Sequence, residues 1–379
     1  MRRALIVLVL LLGAPCTASA ATQISFAPKP QTPRYGSEVV FSGVVTTDGA
    51  PNGGEAVELL ADTGGGWTVL GNTTTGANGS YAFAMTALTP GAYAARTQHA
   101  TSAARMLVLR PELSAQVIGL RYPGSRVLLR GRLRPAAAGE LRLRVGSRTR
   151  AVHTRSGGWY RTRLPTHRPG DFTARLRLKP TAGFKELLRE RHYHLRAPNL
   201  SVGSRGKAVR ALEKTLNRLR YRVHRMNSYY GGDTYESVLA FQKVHRMSRT
   251  GRVSRTFWRK LGGARVPRAR HPTGSHIEVD KTRQVLFEVR RGRVVRVIHV
   301  STGATGNTPL GRYHVYYKAP GLLPSGMYYS MFWFRAFAIH GYHSVPPWPA
   351  SHGCVRIPMW QAPRLFGRWD LGTTVYVYT

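Results

Sequence analysis

Acidic residues are scarce in this sequence. Of its 379 residues, 17 are Asp or Glu and 57 are Lys or Arg, so the formal net charge is +40. Such an excess of positive charge predicts an anionic binding partner, and the candidates are nucleic acid, anionic lipid and acidic cell-wall polymers. Apolar residues make up 42% of the chain, enough for packed cores, so wholesale disorder is excluded. The length predicts about three or four small domains.

Long apolar runs are also lacking, apart from one short run near the start. Arg2 and Arg3 precede the apolar stretch 4–12, and Ala18-Ser19-Ala20 forms a small-residue cleavage site. This pattern predicts a signal peptide over residues 1–20. The run is too short for a transmembrane helix of the mature chain. We therefore expect a secreted protein of the cell wall or the envelope, and export argues against a nucleic-acid partner.

The sequence has two cysteines, Cys16 and Cys354. Cys16 lies in the predicted signal peptide, and Pro15 before it fits a lipidation motif poorly, so we expect it to be cleaved off. Cys354 then remains as the single thiol, which cannot form an internal disulfide. A catalytic or reactive role for Cys354 has to be considered.

The sequence predicts two consecutive β-sandwich modules, over residues 21–110 and 111–198. Short β-rich runs separated by Gly, Asn, Asp and Pro clusters fill both. The two also look like copies, since Gly79-Ser80-Tyr81 and Gly158-Trp159-Tyr160 precede a Pro-Gly pair at the same spacing. Their pattern resembles bacterial immunoglobulin-like domains. We expect them to be spacers.

Residues 199–263 change to helical spacing, with Val209, Leu212 and Leu216 on one face. Three small helices are expected, the second capped by Asp233 and Glu236. The segment resembles the peptidoglycan-binding domain of wall hydrolases, and a helical linker domain without a ligand is the alternative. Residues 264–274 are basic and contain two prolines, which is typical of a linker.

Residues 275–379 are strand-rich again and hold the pattern that carries chemistry. Ile339-His340-Gly341 is followed by Ser351-His352-Gly353-Cys354-Val355-Arg356, which places His340 14 residues before Cys354. A cysteine attacks carbonyls as thiolate, so it needs a nearby base or a lowered pKa, and an imidazole supplies either. Gly353 allows close backbone approach, and the amides around it can donate to an oxyanion. Arg356 would favour the thiolate or hold a substrate carboxylate.

Two other interpretations of these residues stay open at this point. A lone cysteine is often a small buried hydrophobe. His340, His343 and His352 could instead bind zinc together with Cys354, although no CxxC or HExxH motif accompanies them.

Residues 275–379 resemble the L,D-transpeptidase catalytic domain, also called the YkuD domain. Matching blocks occur in order: Ile277-Glu278-Val279-Asp280, Val300-Ser301-Thr302-Gly303, Thr308-Pro309-Leu310-Gly311-Arg312-Tyr313, the two active-site blocks above and Gly372-Thr373-Thr374-Val375. The resemblance implies Cys354 as nucleophile and His340 as general base, with Ser351, His352, Gly353 and Arg356 in supporting or oxyanion roles. Some relatives carry Ser where Gly341 stands, so the group that orients His340 is left unnamed.

The expected architecture is multidomain and mainly β: two β-sandwich modules, a small three-helix peptidoglycan-binding-like domain and a C-terminal L,D-transpeptidase-like domain. The resemblance implies 3→3 cross-linking of peptidoglycan stem peptides through a thioester, without a cofactor or metal, and inhibition by carbapenem-type β-lactams. An L,D-carboxypeptidase, a protein-anchoring enzyme and a non-catalytic binder of the wall or its anionic polymers are the alternatives.

Overall fold

A computed structural model of the chain describes residues 20–379. Within these residues, six β-sheets and four α-helices build a multidomain, mainly β structure, which confirms the expected fold class. The predicted signal peptide lies outside the described residues, apart from Ala20. No helix of the described part is both long enough and apolar enough to cross a membrane.

The first β-rich unit consists of two sheets that face each other across an apolar core. In one sheet the central β3 pairs with β1, β2, β4 and β7, and the other has the order β6-β5-β8-β9. Alternate residues of β3 point inward, because successive side chains of a strand face opposite sides. The strands are β1 Thr22–Ile24, β2 Ala27–Lys29, β3 Glu38–Thr47, β4 Ala50–Pro51, β5 Ala56–Asp62, β6 Trp67–Thr74, β7 Ser80–Thr86, β8 Gly91–Arg96 and β9 Arg105–Leu107.

The second β-rich unit repeats this two-sheet arrangement. One sheet is built around β12, and the other has the order β14-β13-β16-β17. In β13, Leu141 and Leu143 are buried while Arg142 and Arg144 are exposed, as the period-two pattern predicted. The strands are β10 Glu112–Leu113, β11 Gln116–Ile118, β12 Leu128–Arg134, β13 Gly139–Val145, β14 Arg148–Val152, β15 Trp159–Arg163, β16 Gly170–Pro180 and β17 Leu187–Leu195.

One buried tyrosine contact occurs in both units. The Tyr81 hydroxyl donates to the Ser25 carbonyl, and the Tyr160 hydroxyl donates to the Ser114 carbonyl, both at 2.5 Å. A glycine faces each contact, and a Cβ on Gly43 or on Gly131 would lie 1.9 Å from that carbonyl oxygen. The same tyrosine, carbonyl and glycine in equivalent places support the prediction that the two units are copies.

Three helices form the next unit: α1 Lys207–Arg218, α2 Gly232–Val244 and α3 Arg255–Gly263. Ser254 caps α3, since its Oγ accepts the Phe257 N–H. The cap predicted for α2 is wrong, because the N-cap residue is Gly231, which has no side chain to cap the helix, and Asp233 lies inside the first turn, where its Oδ1 accepts the Thr234 N–H. Glu236 instead accepts the Trp360 indole N–H, 124 residues away in the chain.

The C-terminal unit packs two sheets against each other. The first has the order β20-β19-β18-β26-β21, and the second has the order β22-β23-β24-β25. The pairs β18–β26 and β24–β25 are parallel. The elements are β18 His276–Asp280, β19 Val285–Arg290, β20 Arg293–His299, β21 Gly311–His314, β22 Tyr317–Leu322, β23 Tyr328–Phe334, β24 Phe337–Tyr342, β25 Val355–Pro358, α4 Ala362–Phe366 and β26 Thr374–Tyr378.

The helical unit covers the outer face of β19 and β20, and it also contacts the second sandwich. Apolar side chains of β19 and β20 share one buried cluster with Tyr221 and Phe241 of the helical unit. The Tyr122 ring of the second sandwich stacks on Trp258 at a centroid distance of 5.7 Å, and Arg218 donates to the Gly124 carbonyl. The strand residues in the shared cluster are Val285, Phe287, Val289, Val294 and Val297.

The basic segment 264–274 contains neither helix nor strand. The backbone N–H groups of Arg270 and His271 donate to the carboxylate of Glu278, which is fully buried in β18. The His271 ring stacks on Tyr376. This segment is therefore fixed to the C-terminal unit along its second half.

Candidate active site

Strands β24 and β25 bring His340 and Cys354 to one face of the second sheet. The parallel register pairs Ile339 with Val355 and His340 with Arg356. Cys354 directly precedes β25, and the Ala338 N–H donates to its sulfur at 3.5 Å. Because side chains alternate along a strand, Cys354 and Arg356 face the same side as His340.

The Cys354 thiol is half-buried. Burial raises the pKa of this thiol above its ordinary value, and the Ala338 N–H and the Arg356 guanidinium oppose that shift only in part. The sulfur also lies 3.9 Å from the Ala336 carbonyl oxygen. At neutral pH the resting side chain is therefore a protonated thiol, and not the preformed thiolate that nearby positive charge alone would give.

The His340 ring is 2% exposed, and its Nδ1–H donates to the Gly341 carbonyl at 2.9 Å. This bond places the ring proton on Nδ1, so Nε2 keeps its lone pair. Burial lowers the pKa of His340 to about 4, and the Arg356 charge adds to the effect. The imidazole is therefore neutral at neutral pH and able to accept a proton.

The group that orients His340 is thus a backbone carbonyl. The packing around position 341 favours a glycine, since a Cβ there would lie 2.8 Å from the Ala362 Cβ. No side chain marks this role in the sequence, which is why sequence reasoning could not name it.

Ser351 organises the turn that carries the cysteine. Its Oγ accepts the Gly353 N–H at 3.1 Å and donates to the Cys354 carbonyl at 2.5 Å. Gly353 has a φ of +130°, and a Cβ there would lie 2.4 Å from the Phe337 ring. The Gly353 amide is thus engaged within the turn. Among residues 20–379, no backbone or side-chain acceptor binds the Cys354 N–H, which leaves that amide free to donate to an oxyanion.

Two residues whose roles were not assigned from the sequence hold this turn from the side. The Thr308 hydroxyl accepts the Gly303 N–H at 2.9 Å and donates to the Gly353 carbonyl at 2.8 Å. Asn307 donates to the His352 carbonyl at 2.8 Å. Thr308 begins one of the blocks on which the family resemblance depends. The sequence therefore marked this residue, but it did not indicate that Thr308 bonds to Gly303 and Gly353.

Arg356 packs its guanidinium 4.2 Å from the centroid of the Tyr342 ring. Its backbone pairs with Ser301, which joins β25 to the end of β20. In the described part of the chain, no carboxylate forms an ion pair with Arg356. The side chain of His352 is exposed. Between residues 20 and 379, no three His, Cys, Asp or Glu side chains cluster as metal ligands would.

Two parts of the chain match known protein families. Residues 274–377 match the L,D-transpeptidase catalytic domain, YkuD, and residues 205–261 match a putative peptidoglycan binding domain. No match was found among curated proteins.

Several solved structures are similar to parts of the chain. An L,D-transpeptidase from Xylanimonas cellulosilytica is 33% identical over 48% of this chain and 99% of that one, with a TM-score of 0.46. One from Stackebrandtia nassauensis is 22% identical over 48% and 95%, with a TM-score of 0.31. The catalytic domain of the Enterococcus faecium enzyme acylated by ertapenem is 26% identical over 28% and 99%, with a TM-score of 0.24.

The two family models define a wall-related protein with a catalytic domain and a peptidoglycan-binding domain. The chain belongs to the L,D-transpeptidase family, as the resemblance predicted.

Proposed function

We propose that this protein is exported and forms 3→3 peptidoglycan cross-links through a thioester on Cys354. The observation that carries the proposal is the strand pair β24–β25, which presents a half-buried thiol and a neutral imidazole on one face of a domain of this family.

In the first half-reaction, Cys354 attacks the carbonyl carbon of the third residue of a donor stem peptide. His340 Nε2 accepts the thiol proton as the S–C bond forms, because burial keeps the thiol protonated at rest. The free Cys354 N–H donates to the oxyanion. The C–N bond to the terminal D-amino acid then breaks, and the proton on His340 passes to the leaving amine.

In the second half-reaction, the side-chain amine of an acceptor stem attacks the thioester carbonyl. His340 Nε2 takes a proton from the attacking amine and returns it to the sulfur as the C–S bond breaks. The products are the cross-linked dimer and the free thiol. Water in place of the amine gives a tripeptide, and a protein amine gives an anchored protein.

Arg356 has a separate part in this scheme. Its guanidinium has no carboxylate partner in residues 20–379, so it is available for a carboxylate of the stem peptide. Ser351, Gly353, Thr308 and Asn307 hold the turn that presents the thiol.

Incubation of the purified protein with tetrapeptide-stem muropeptides, read by mass spectrometry, tests the proposal. We expect a 3→3 dimer and free D-amino acid from the wild type, and neither from Cys354→Ala. The exposed Ser325 supplies a control, since Ser325→Ala should leave product formation unchanged. Tripeptide without dimer would assign carboxypeptidase activity, and dimer from Cys354→Ala would refute the role of the thiol.

A second candidate is binding of anionic wall polymers, with or without catalysis. A cleft of about 640 Å³ between the helical unit and the C-terminal unit supports it. The guanidinium groups around this cleft outnumber its carboxylates, and they belong to Arg246, Arg249, Arg268, Arg270 and Arg283. Retention on purified sacculi should fall steeply with rising salt if charge dominates. Retention that is insensitive to salt would contradict this candidate.

A further inference from the structure

A lysine of the helical unit is buried inside the C-terminal unit. Lys243, in the last turn of α2, is 2% exposed. Its Nζ donates to the carbonyls of Gln284 and Val300 at 3.0 and 2.8 Å, and it lies 2.6 Å from Nδ1 of His299. A buried ammonium is costly unless every N–H is bonded, and here three acceptors surround it.

His299 continues this contact toward the candidate active site. Its ring is 2% exposed, and Nε2 lies 2.7 Å from the Val345 carbonyl oxygen. Val345 belongs to the loop 343–353, which joins His340 of β24 to Cys354 before β25. A chain of two side chains therefore runs from α2 to the loop that carries the cysteine.

Proton counting fixes the roles in this chain. The Val345 carbonyl can only accept, so Nε2 must carry a proton, and in a neutral ring Nδ1 is then an acceptor. Lys243 must therefore supply three N–H donors, to Nδ1 and to two carbonyls. If Nδ1 of His299 carries the proton instead, the Lys243 amine has one proton fewer. Either way the pair holds one positive charge, although burial lowers the pKa values of both groups.

A second side chain of the helical unit reaches the same loop. Arg249 donates to the Pro347 carbonyl at 2.8 Å and to the Thr282 carbonyl at 3.0 Å. From the C-terminal unit, Ser301 Oγ donates to the Trp348 carbonyl, and the Thr302 carbonyl accepts the N–H groups of Ala350 and Ser351. Hydrogen bonds from the helical unit and from the C-terminal unit therefore hold the backbone carbonyls and amides of this loop.

We propose that Lys243 and His299 are positioning residues for the Cys354 site: through them, the helical unit holds the loop 343–353 in the conformation that the reaction needs. This inference rests on the proposed function. It assigns to the peptidoglycan-binding module a part in forming the active site, besides any binding of the wall.

The test uses the full mature chain with Lys243→Met, His299→Leu and His299→Gln. Gln can accept from Lys243 through its amide oxygen and donate to Val345 through its amide nitrogen, whereas Leu can do neither. Two quantities are measured below the melting temperature of each variant: the rate of dimer formation, and hydrogen exchange in peptides that cover 343–353. Lys214→Met, an exposed lysine of α1, is the matched control.

We expect Lys243→Met and His299→Leu to slow dimer formation by about tenfold to a hundredfold, since small misplacements of reacting groups cost this much. The amides of Ala350 and Ser351 should exchange faster in both. His299→Gln should recover most of the rate, and Lys214→Met should match the wild type. If Lys243→Met does not fold, the comparison of His299→Leu with His299→Gln decides the matter.

Wild-type rates and unchanged loop exchange in folded Lys243→Met or His299→Leu would overturn the proposal. Equal loss of rate in His299→Leu and His299→Gln, with unchanged exchange, would also overturn it. If the wild type forms no product, the proposed function fails, and faster loop exchange in the variants then still reports the coupling separately.

Discussion

His340 is oriented by the residue that follows it, because its Nδ1–H donates to the Gly341 carbonyl at 2.9 Å. A backbone acceptor cannot be removed by substitution, so the tautomer of His340 depends on where β24 places residue 341. The space around Gly341 therefore controls the orientation of the His340 ring. Ala362 of α4 is the nearest neighbour that limits this space.

Gly341→Ala should destabilise the C-terminal unit. The new Cβ would lie 2.8 Å from the Ala362 Cβ and 3.3 Å from the Met359 Cα, and overpacking of this kind costs about 1–3 kcal/mol. Adding Ala362→Gly should recover part of the loss. Urea unfolding measures both, and Gly263→Ala, with no atom within 4 Å, is the control. Equal stability of Gly341→Ala and the wild type would contradict the crowding.

The reactivity of the free thiol should rise with pH through the neutral range. Burial raises the pKa of Cys354, so the thiolate fraction is small at pH 7 and grows as pH increases. Alkylation by iodoacetamide, followed by intact mass, should accelerate from pH 6 to pH 9. A plateau that begins below pH 7 would show a preformed thiolate–imidazolium pair and would refute this view of the resting state.

Arg356 should tune the same titration. Its charge lowers the pKa of Cys354, so Arg356→Gln removes a stabiliser of the thiolate. Alkylation at pH 8 should slow roughly twofold or more, by the ordinary relation between pKa and ionised fraction. Arg312→Gln, an exposed arginine elsewhere in the C-terminal unit, should alkylate like the wild type. Faster alkylation of Arg356→Gln than of the wild type would contradict the view that Arg356 lowers the pKa of Cys354.

Ertapenem should form a covalent adduct with Cys354 if the proposed thioester chemistry holds. Acylation by carbapenem-type β-lactams is what the family resemblance of residues 275–379 implies. Intact mass should increase by one acyl group in the wild type and stay unchanged in Cys354→Ala. His340→Ala should acylate much more slowly, because no base then accepts the thiol proton. An unmodified wild type after prolonged incubation would count against the nucleophile.

Glu236 should lower the stability of the protein as pH rises from acidic to neutral, relative to a variant that lacks this carboxyl. Burial raises the pKa of this carboxyl to about 7, above its value in the unfolded chain. Its contribution is fully present below the unfolded pKa, near 4.5, and is lost as pH rises through the folded pKa. Glu236→Gln should lose less melting temperature between pH 5 and pH 8 than the wild type. The exposed Glu140→Gln should follow the wild-type curve, and parallel curves for all three would exclude Glu236 as the cause.

The sequence predicts the strands, the helices and the location of the active-site motif, because each rests on local periodicity or on contiguous residue blocks. Lys243 could not be found this way. It lies beside the apolar positions of α2 and looks like an exposed residue, and its burial depends on carbonyls 41 and 57 residues further along the chain. The cap predicted from Glu236 failed for the same reason, since its carboxylate is drawn to Trp360 across the interface.

The stack of Tyr122 on Trp258 has a mechanical consequence. Together with Arg218, it joins the second sandwich to the helical unit, which in turn packs on β19 and β20 of the C-terminal unit. An attachment point on that sandwich would therefore fix the direction in which the reactive sulfur faces, and not only how far it can reach.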